Sequence, residues 1–103
     1  MPQYVILAYD AKDEGALTRR MANRQAHIDA MSKARAEGKM LCGLALLDEA
    51  GKMIGSNVVV NFESREALDT WLASEPYVTG KVWLDISVLP AKLGPSFEDL
   101  VKV

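Results

Sequence analysis

The sequence is poor in the residue types that build metal, redox and phosphate sites. Among its 103 residues it has one cysteine, Cys42, and one histidine, His27. A lone thiol excludes a disulfide framework, and the apolar stretch around Cys42 predicts a buried, inert side chain. One histidine without a second histidine or cysteine at ligand spacing does not make a zinc site. There is also no glycine-rich phosphate loop and no G-x-S-x-G motif. We therefore expect neither a metal nor a cofactor.

The sequence also has no strong excess of either charge and no apolar segment of membrane-spanning length. The net charge is −2 and the pI is near 5.3. Without a basic stripe to contact phosphates, nucleic acid is disfavoured as a partner. The apolar run at residues 4–9 has no basic flank and ends at Asp10, and no run approaches the length of a membrane span. We expect a soluble, cytoplasmic protein that binds neither nucleic acid nor a membrane.

Half of the chain is hydrophobic, and its patterning predicts one domain over residues 1–103. Alternating and helical periodicities predict six elements: strands 3–9, 40–47, 53–62 and 82–89, and helices 13–37 and 64–75. The order βαββαβ predicts a ferredoxin-like α+β fold, in which a four-stranded antiparallel sheet carries both helices on one face.

The apolar residues also predict how these layers pack. Four of them recur at helical spacing and predict the buried face of the first helix: Leu17, Met21, Ile28 and Met31. The first strand is apolar on both faces, and the last strand adds Trp83 and Leu89 to its second face. Two helices can cover only one face of the sheet. The other face should therefore meet a second copy, giving a homodimer or a larger homo-oligomer.

The groups that could carry chemistry are an imidazole, a carboxylate and a phenol. His27 shares a helical strip with Arg20 and Arg24, which places it at the border of the predicted core. Glu75 lies where the second helix ends, because a residue that precedes proline is pushed out of the α region. Tyr77 follows within two residues. If these side chains meet, they are the raw material of a proton-transfer site.

Each of these groups has a purely structural alternative. His27 can be a half-buried histidine that makes one hydrogen bond, and Glu75 can be a solvated loop carboxylate. Tyr77 can simply pack. A cluster of arginines can bind an anionic substrate, but more commonly forms a solvated or salt-bridged helix face; here it comprises Arg19, Arg20 and Arg24.

Several short segments, in order and at characteristic spacing, resemble the YciI-like family over nearly the whole chain. The matching segments are Tyr4-Val5-Ile6-Leu7, Arg24-Gln25-Ala26-His27, Glu37-Gly38-Lys39, Gly55-Ser56, Phe62-Glu63-Ser64 with Ala67, and Pro76-Tyr77-Val78. The resemblance implies a dimeric α+β barrel similar to muconolactone isomerase, with an active site built from a histidine and an aspartate. The family histidine falls on His27. The aspartate of the family's Asp-Pro-Tyr motif falls on Glu75, so the chain carries Glu-Pro-Tyr.

A few family members resemble ring-processing enzymes, including a dehydrochlorinase of chlorinated hydroxyquinols. The first hypothesis is therefore a cofactor-independent lyase or isomerase acting on a small, cyclic, oxygenated substrate. His27 would move the proton and Glu75 would orient its ring. Arg24, Ser56 and Tyr77 would contact the substrate. The alternative is a non-catalytic oligomeric protein that binds a small ligand. The sequence does not identify the substrate.

Overall fold

Four strands and three α-helices make up the computed structural model, which describes residues 1–101. In chain order they are β1 (Gln3–Asp10), α1 (Ala16–Ala36), β2 (Met40–Leu47), β3 (Met53–Asn61), α2 (Arg65–Ala73), α3 (Pro76–Thr79) and β4 (Trp83–Ala91), followed by a 3₁₀ helix at Pro95–Val101. The predicted second helix corresponds to α2, and α3 is a short additional helix that was not predicted. The last strand extends beyond its predicted end at residue 89 to Ala91, and the 3₁₀ helix was not predicted.

All neighbouring strands in the sheet are antiparallel, in the order β2-β3-β1-β4. The predicted ferredoxin-like α+β fold is confirmed. At the centre of the sheet Ile6 pairs with Val58 on one side and with Val88 on the other. The β1–β4 register shifts between Tyr9 and Asp10, which places Trp83 opposite Asp10. This irregularity positions two side chains of the candidate site.

The core lies on one face of the sheet. Along β1 the buried side chains alternate, with Tyr4, Ile6 and Ala8 on the core face. Ala34 of α1 and Leu68 of α2 belong to the same hydrophobic cluster. Both helices therefore cover this face. No helix among residues 1–101 is both long enough and apolar enough to cross a membrane.

The buried face of α1 differs from the predicted one. Leu17 and Met21 are 37% and 52% exposed, so the expected apolar face does not pack as a unit. The buried residues of α1 are Ala16, Arg20 and Ala34. Their stripe also includes His27, which is half-buried. The prediction failed because it counted only apolar residues, whereas an arginine and a histidine point toward the sheet here.

The prediction of a buried thiol is also wrong. Cys42 is exposed. It pairs with Val59, which pairs with Val5, so these three residues stand in one row on the face that the helices leave uncovered. Cys42 therefore has apolar neighbours, as the sequence indicates, but in the single chain they form an exposed surface instead of a core.

Candidate active site

The segment Glu75-Pro76-Tyr77 is the start of a helix rather than a loop. Glu75 has extended dihedral angles, φ −67° and ψ 131°, as a residue before proline must. Pro76 occupies the first turn of α3, where a missing backbone N–H costs nothing. The Glu75 carboxylate then accepts a hydrogen bond from the backbone N–H of Tyr77 at 2.8 Å. This cap fixes the side chain in place and directs it inward.

The second oxygen of the same carboxylate contacts His27. Nδ1 of His27 lies 2.5 Å from Oε1 of Glu75. The Glu75 side chain is completely buried and that of His27 is 15% exposed, so the alternative of a solvated loop carboxylate is excluded. A carboxylate accepts but does not donate, so Nδ1 carries the proton in the neutral imidazole. The lone pair of a neutral ring is then on Nε2.

Aromatic rings hold His27 from two sides. The Tyr77 ring stacks on it, with centroids 3.8 Å apart and planes inclined by 7°. The Trp83 indole meets both rings edge-on, with centroid distances of 5.8 Å to His27 and 5.7 Å to Tyr77. These contacts restrict rotation of the imidazole and add to the order imposed by Glu75.

Burial raises the pKa of the Tyr77 phenol above its ordinary value, although the nearby charges of Arg20 and Arg24 act in the opposite direction. The hydroxyl therefore stays protonated at neutral pH. It forms no hydrogen bond with any other group in residues 1–101, although Tyr77 is only 1% exposed. It is thus available as a donor.

A buried ion pair stands beside these rings. Nη1 of Arg20 donates to both carboxylate oxygens of Asp10, at 2.9 and 3.0 Å. The two side chains are 4% and 6% exposed. Nη2 of Arg20 and Nε1 of Trp83 both donate to Oγ of Ser56, each at 3.1 Å. The guanidinium carbon of Arg20 is 4.9 Å from the Tyr77 ring centroid. One network therefore connects β1, α1, β3 and β4 behind His27.

The three arginines of α1 have different surroundings. Arg19 pairs with Asp13 at the surface, at 2.7 Å. Arg20 is committed to the buried network. Arg24 is exposed and forms no ion pair within the described part of the chain. Of the three it is the one with a guanidinium free for a ligand.

A cavity of about 390 Å³ opens between α1 and the strands β2 and β3. Its size suits a small organic molecule. Four of the five predicted site residues line it: Arg24, His27, Ser56 and Tyr77. Glu75 lies behind His27, outside the lining. The rest of the wall includes apolar side chains such as Ile28, Met31 and Val58.

Three residues of the network, Asp10, Arg20 and Trp83, were not among the predicted site residues. Asp10 is the last residue of β1 and lies on the same face as the buried residues Ile6 and Ala8, and this alternation was the available signal. Arg20 is seven residues before His27, a spacing that places both on one helix face. Within residues 1–101, no three His, Cys, Asp or Glu side chains are grouped so that they could hold a metal ion.

Comparison with known proteins identifies the family. The model of the YCII-related domain matches residues 2–92. The chain belongs to this family. It is 35% identical to the protein YciI of Escherichia coli O6:H1 over 95 residues, which cover 86% of the chain and 95% of that relative. An uncharacterized protein of Haemophilus influenzae is equally similar, at 35% over 96 residues. The predicted resemblance is confirmed.

Solved structures show the same fold at low sequence identity. The 5-chloro-2-hydroxyhydroquinone dehydrochlorinase of Burkholderia phenoliruptrix, in complex with 2,5-dihydroxybenzoquinone, superposes on this YCII-related chain with a TM-score of 0.77 at 21% identity. The match covers 93% of the chain and 99% of the dehydrochlorinase. An antibiotic biosynthesis monooxygenase gives a TM-score of 0.51 at 16% identity, with 92% and 100% covered. These likenesses establish the architecture.

Proposed function

We propose that the protein is an enzyme that moves a proton on a small oxygenated molecule, with His27 as the general acid–base. The observation that carries this proposal is the asymmetry of the imidazole. Nδ1 is held by the buried carboxylate of Glu75, whereas Nε2 has no partner within residues 1–101 and His27 lines the cavity. A base oriented in this way by a second group is the arrangement that proton abstraction requires.

In the proposed reaction, Nε2 removes a proton from a carbon next to a carbonyl. The electron pair of the broken C–H bond moves into the carbonyl system as an enolate. Collapse of the enolate then expels a leaving group with its electron pair, or returns a proton from His27 to a different carbon. The first outcome is a lyase reaction and the second is an isomerisation. Glu75 would stabilise the imidazolium formed between the two steps.

The other lining groups have supporting roles in this proposal. Tyr77 and Ser56 would donate hydrogen bonds to the carbonyl oxygen on which charge develops. Arg24 would hold the far side of the substrate. That the dehydrochlorinase structure contains 2,5-dihydroxybenzoquinone suggests which compounds to assay first, namely hydroxylated and halogenated quinols and then lactones.

The test compares the wild-type protein with His27→Ala on such a panel, following halide release and isomerisation. Turnover by His27→Ala should be about 10²–10⁴-fold lower than turnover by the wild-type protein, because a general acid or base usually contributes a factor of this size. As a control, Ser32→Ala removes a hydroxyl from an exposed position of the same cavity wall and should change turnover little.

Two outcomes would count against the proposal. Full activity of His27→Ala on an identified substrate would exclude the mechanism. Ligand binding in the cavity without turnover of any bound compound would favour a non-catalytic binding protein instead. Mass spectrometry of molecules that co-purify with the wild-type protein would supply candidate compounds for both measurements.

A further inference from the structure

The polar side chains of the cavity wall around His27 are mostly hydrogen-bond donors. A serine hydroxyl can accept two hydrogen bonds and donate one. Ser56 already accepts from Arg20 and Trp83, so both of its lone pairs are occupied. Its own proton has no acceptor among the hydrogen bonds of the described residues. Ser56 is therefore limited to donating, and it lines the cavity.

The neighbouring polar groups are donors too. The Tyr77 hydroxyl is kept in its protonated form by burial and has no partner in the described chain. Arg24 presents a guanidinium, which can only donate. Nε of Arg20 is a further buried donor without an acceptor, in a side chain that is 4% exposed. Nε2 of a neutral His27 is then the acceptor in this group.

The charges of the lining side chains point the same way. The negative charge of Asp10 is matched by Arg20 within the buried pair. Arg24 and Arg35 also line the cavity, and neither forms an ion pair in the part of the chain that the structure describes. Asp and Glu are absent from the side chains of this lining within residues 1–101. Glu75, behind His27 and outside the lining, contributes one negative charge against these two arginines, so the surroundings of the cavity carry a net positive charge.

We infer that the substrate is an organic oxyanion, a carboxylate or an ionised enol or phenol, whose charged oxygen is bound by Arg24 and the hydroxyls of Ser56 and Tyr77. A neutral carbonyl oxygen could accept from the two hydroxyls but would bring no counter-charge for Arg24, and a cation would be repelled by Arg24, whereas an oxyanion supplies both the lone pairs and the negative charge. Calling this bound molecule a substrate rests on the proposed function. The inference itself concerns binding and can be tested without turnover.

The test measures binding of matched anionic and neutral probes. One pair is benzoate and benzamide; the other is 2,5-dihydroxy-1,4-benzoquinone, which is ionised at neutral pH, and its neutral dimethyl ether. Titration calorimetry would give the affinities. The indole N–H signal of Trp83 would report occupancy, because that group donates to Ser56. In at least one pair, we expect the anion to bind about tenfold tighter or more than its neutral partner.

Variants then locate the charge. Arg24→Gln should weaken binding of the preferred anion by about tenfold or more. Lys33→Gln removes the same charge from the same helix outside the cavity lining and should stay within about twofold. Equal affinities within both pairs, no binding by either anion at millimolar concentration, or an unchanged affinity in Arg24→Gln would overturn the inference. Anion binding that persists in an inactive protein would refute catalysis but leave this assignment intact.

Discussion

Oε1 of Glu75 lies 2.5 Å from Nδ1 of His27, although 48 positions separate the two residues in the chain. The other oxygen of Glu75 caps α3 through the backbone N–H of Tyr77. Both oxygens of one buried carboxylate therefore accept hydrogen bonds. The same group sets the proton position on the imidazole and the start of the helix that carries the stacked Tyr77.

Glu75→Gln should disturb both functions, because an amide offers only one accepting atom. Its NH₂ group must face either the Tyr77 N–H or His27, where it would favour protonation of Nε2 instead of Nδ1. We expect the tautomer population of the neutral imidazole to change, as read from ¹⁵N shifts. The spectrum is simple because His27 is the only histidine. The loss of turnover should be smaller than in His27→Ala, since an acceptor remains.

Glu49→Gln is the matched control for this experiment. It makes the same chemical change in the exposed β2–β3 connection, and we expect the His27 signals to stay as in wild type. Identical tautomer populations in wild type and Glu75→Gln would contradict the proposed orienting role of Glu75.

The raised pKa of Tyr77 predicts a loss of stability at alkaline pH. The phenol of the folded protein holds its proton more tightly than that of the unfolded chain, whose value is near 10. This contribution to stability is fully present below the unfolded value and is lost as pH rises through the folded one. Urea unfolding at increasing pH should show the decline, and Tyr77→Phe should reduce it. An equally steep decline in Tyr77→Phe would assign the effect to other groups.

Much of the fold follows from local patterns. Alternation in the strands, the polar β2–β3 connection and the order of elements were enough to predict the sheet and its topology. The buried face of α1 was not, because periodicity was counted over apolar residues and α1 directs Arg20 inward. That direction becomes favourable only through Asp10, which lies on a different element. Local patterns do not contain this information.

The candidate site was predictable in composition but not in geometry. The family resemblance selects His27 and Glu75, and the structure brings them into contact. The role of Ser56 as an acceptor for Arg20 and Trp83 depends on the irregular pairing at Asp10, which no short-range signal encodes. That network leaves Ser56 able only to donate a hydrogen bond to a ligand in the cavity.

The Asp10–Arg20 pair should be important for folding. Removing one member leaves the other charge buried without a partner, which costs about 3–5 kcal/mol. We expect Asp10→Ala to lower the free energy of unfolding by about this amount in urea titrations. The double variant Asp10→Ala/Arg20→Met should recover part of the loss, because no uncompensated charge remains.

Asp13→Ala breaks the neighbouring exposed pair with Arg19 and should have a far smaller effect. Equal losses for Asp10→Ala and Asp13→Ala would show that burial does not matter here.

The uncovered face of the sheet predicts a dimer or a larger homo-oligomer. Strand pairing places Val5, Cys42, Val59 and Leu89 in one row across this face. Leu44 and Leu89 are 57% and 50% exposed in the single chain. An apolar surface of this kind on a sheet is typical of an interface.

Sedimentation velocity at micromolar concentration should therefore show at least a dimer. Leu89→Glu should shift the protein toward the monomer, because a carboxylate in the middle of an apolar interface would be buried without a partner. Met21→Glu, at a similarly exposed position of α1, should leave the assembly unchanged. Cys42 provides a second readout. Its thiol should react slowly with a maleimide in the oligomer and quickly in Leu89→Glu. A folded wild-type monomer with a fast-reacting Cys42 would contradict the prediction and leave this apolar face without an explanation.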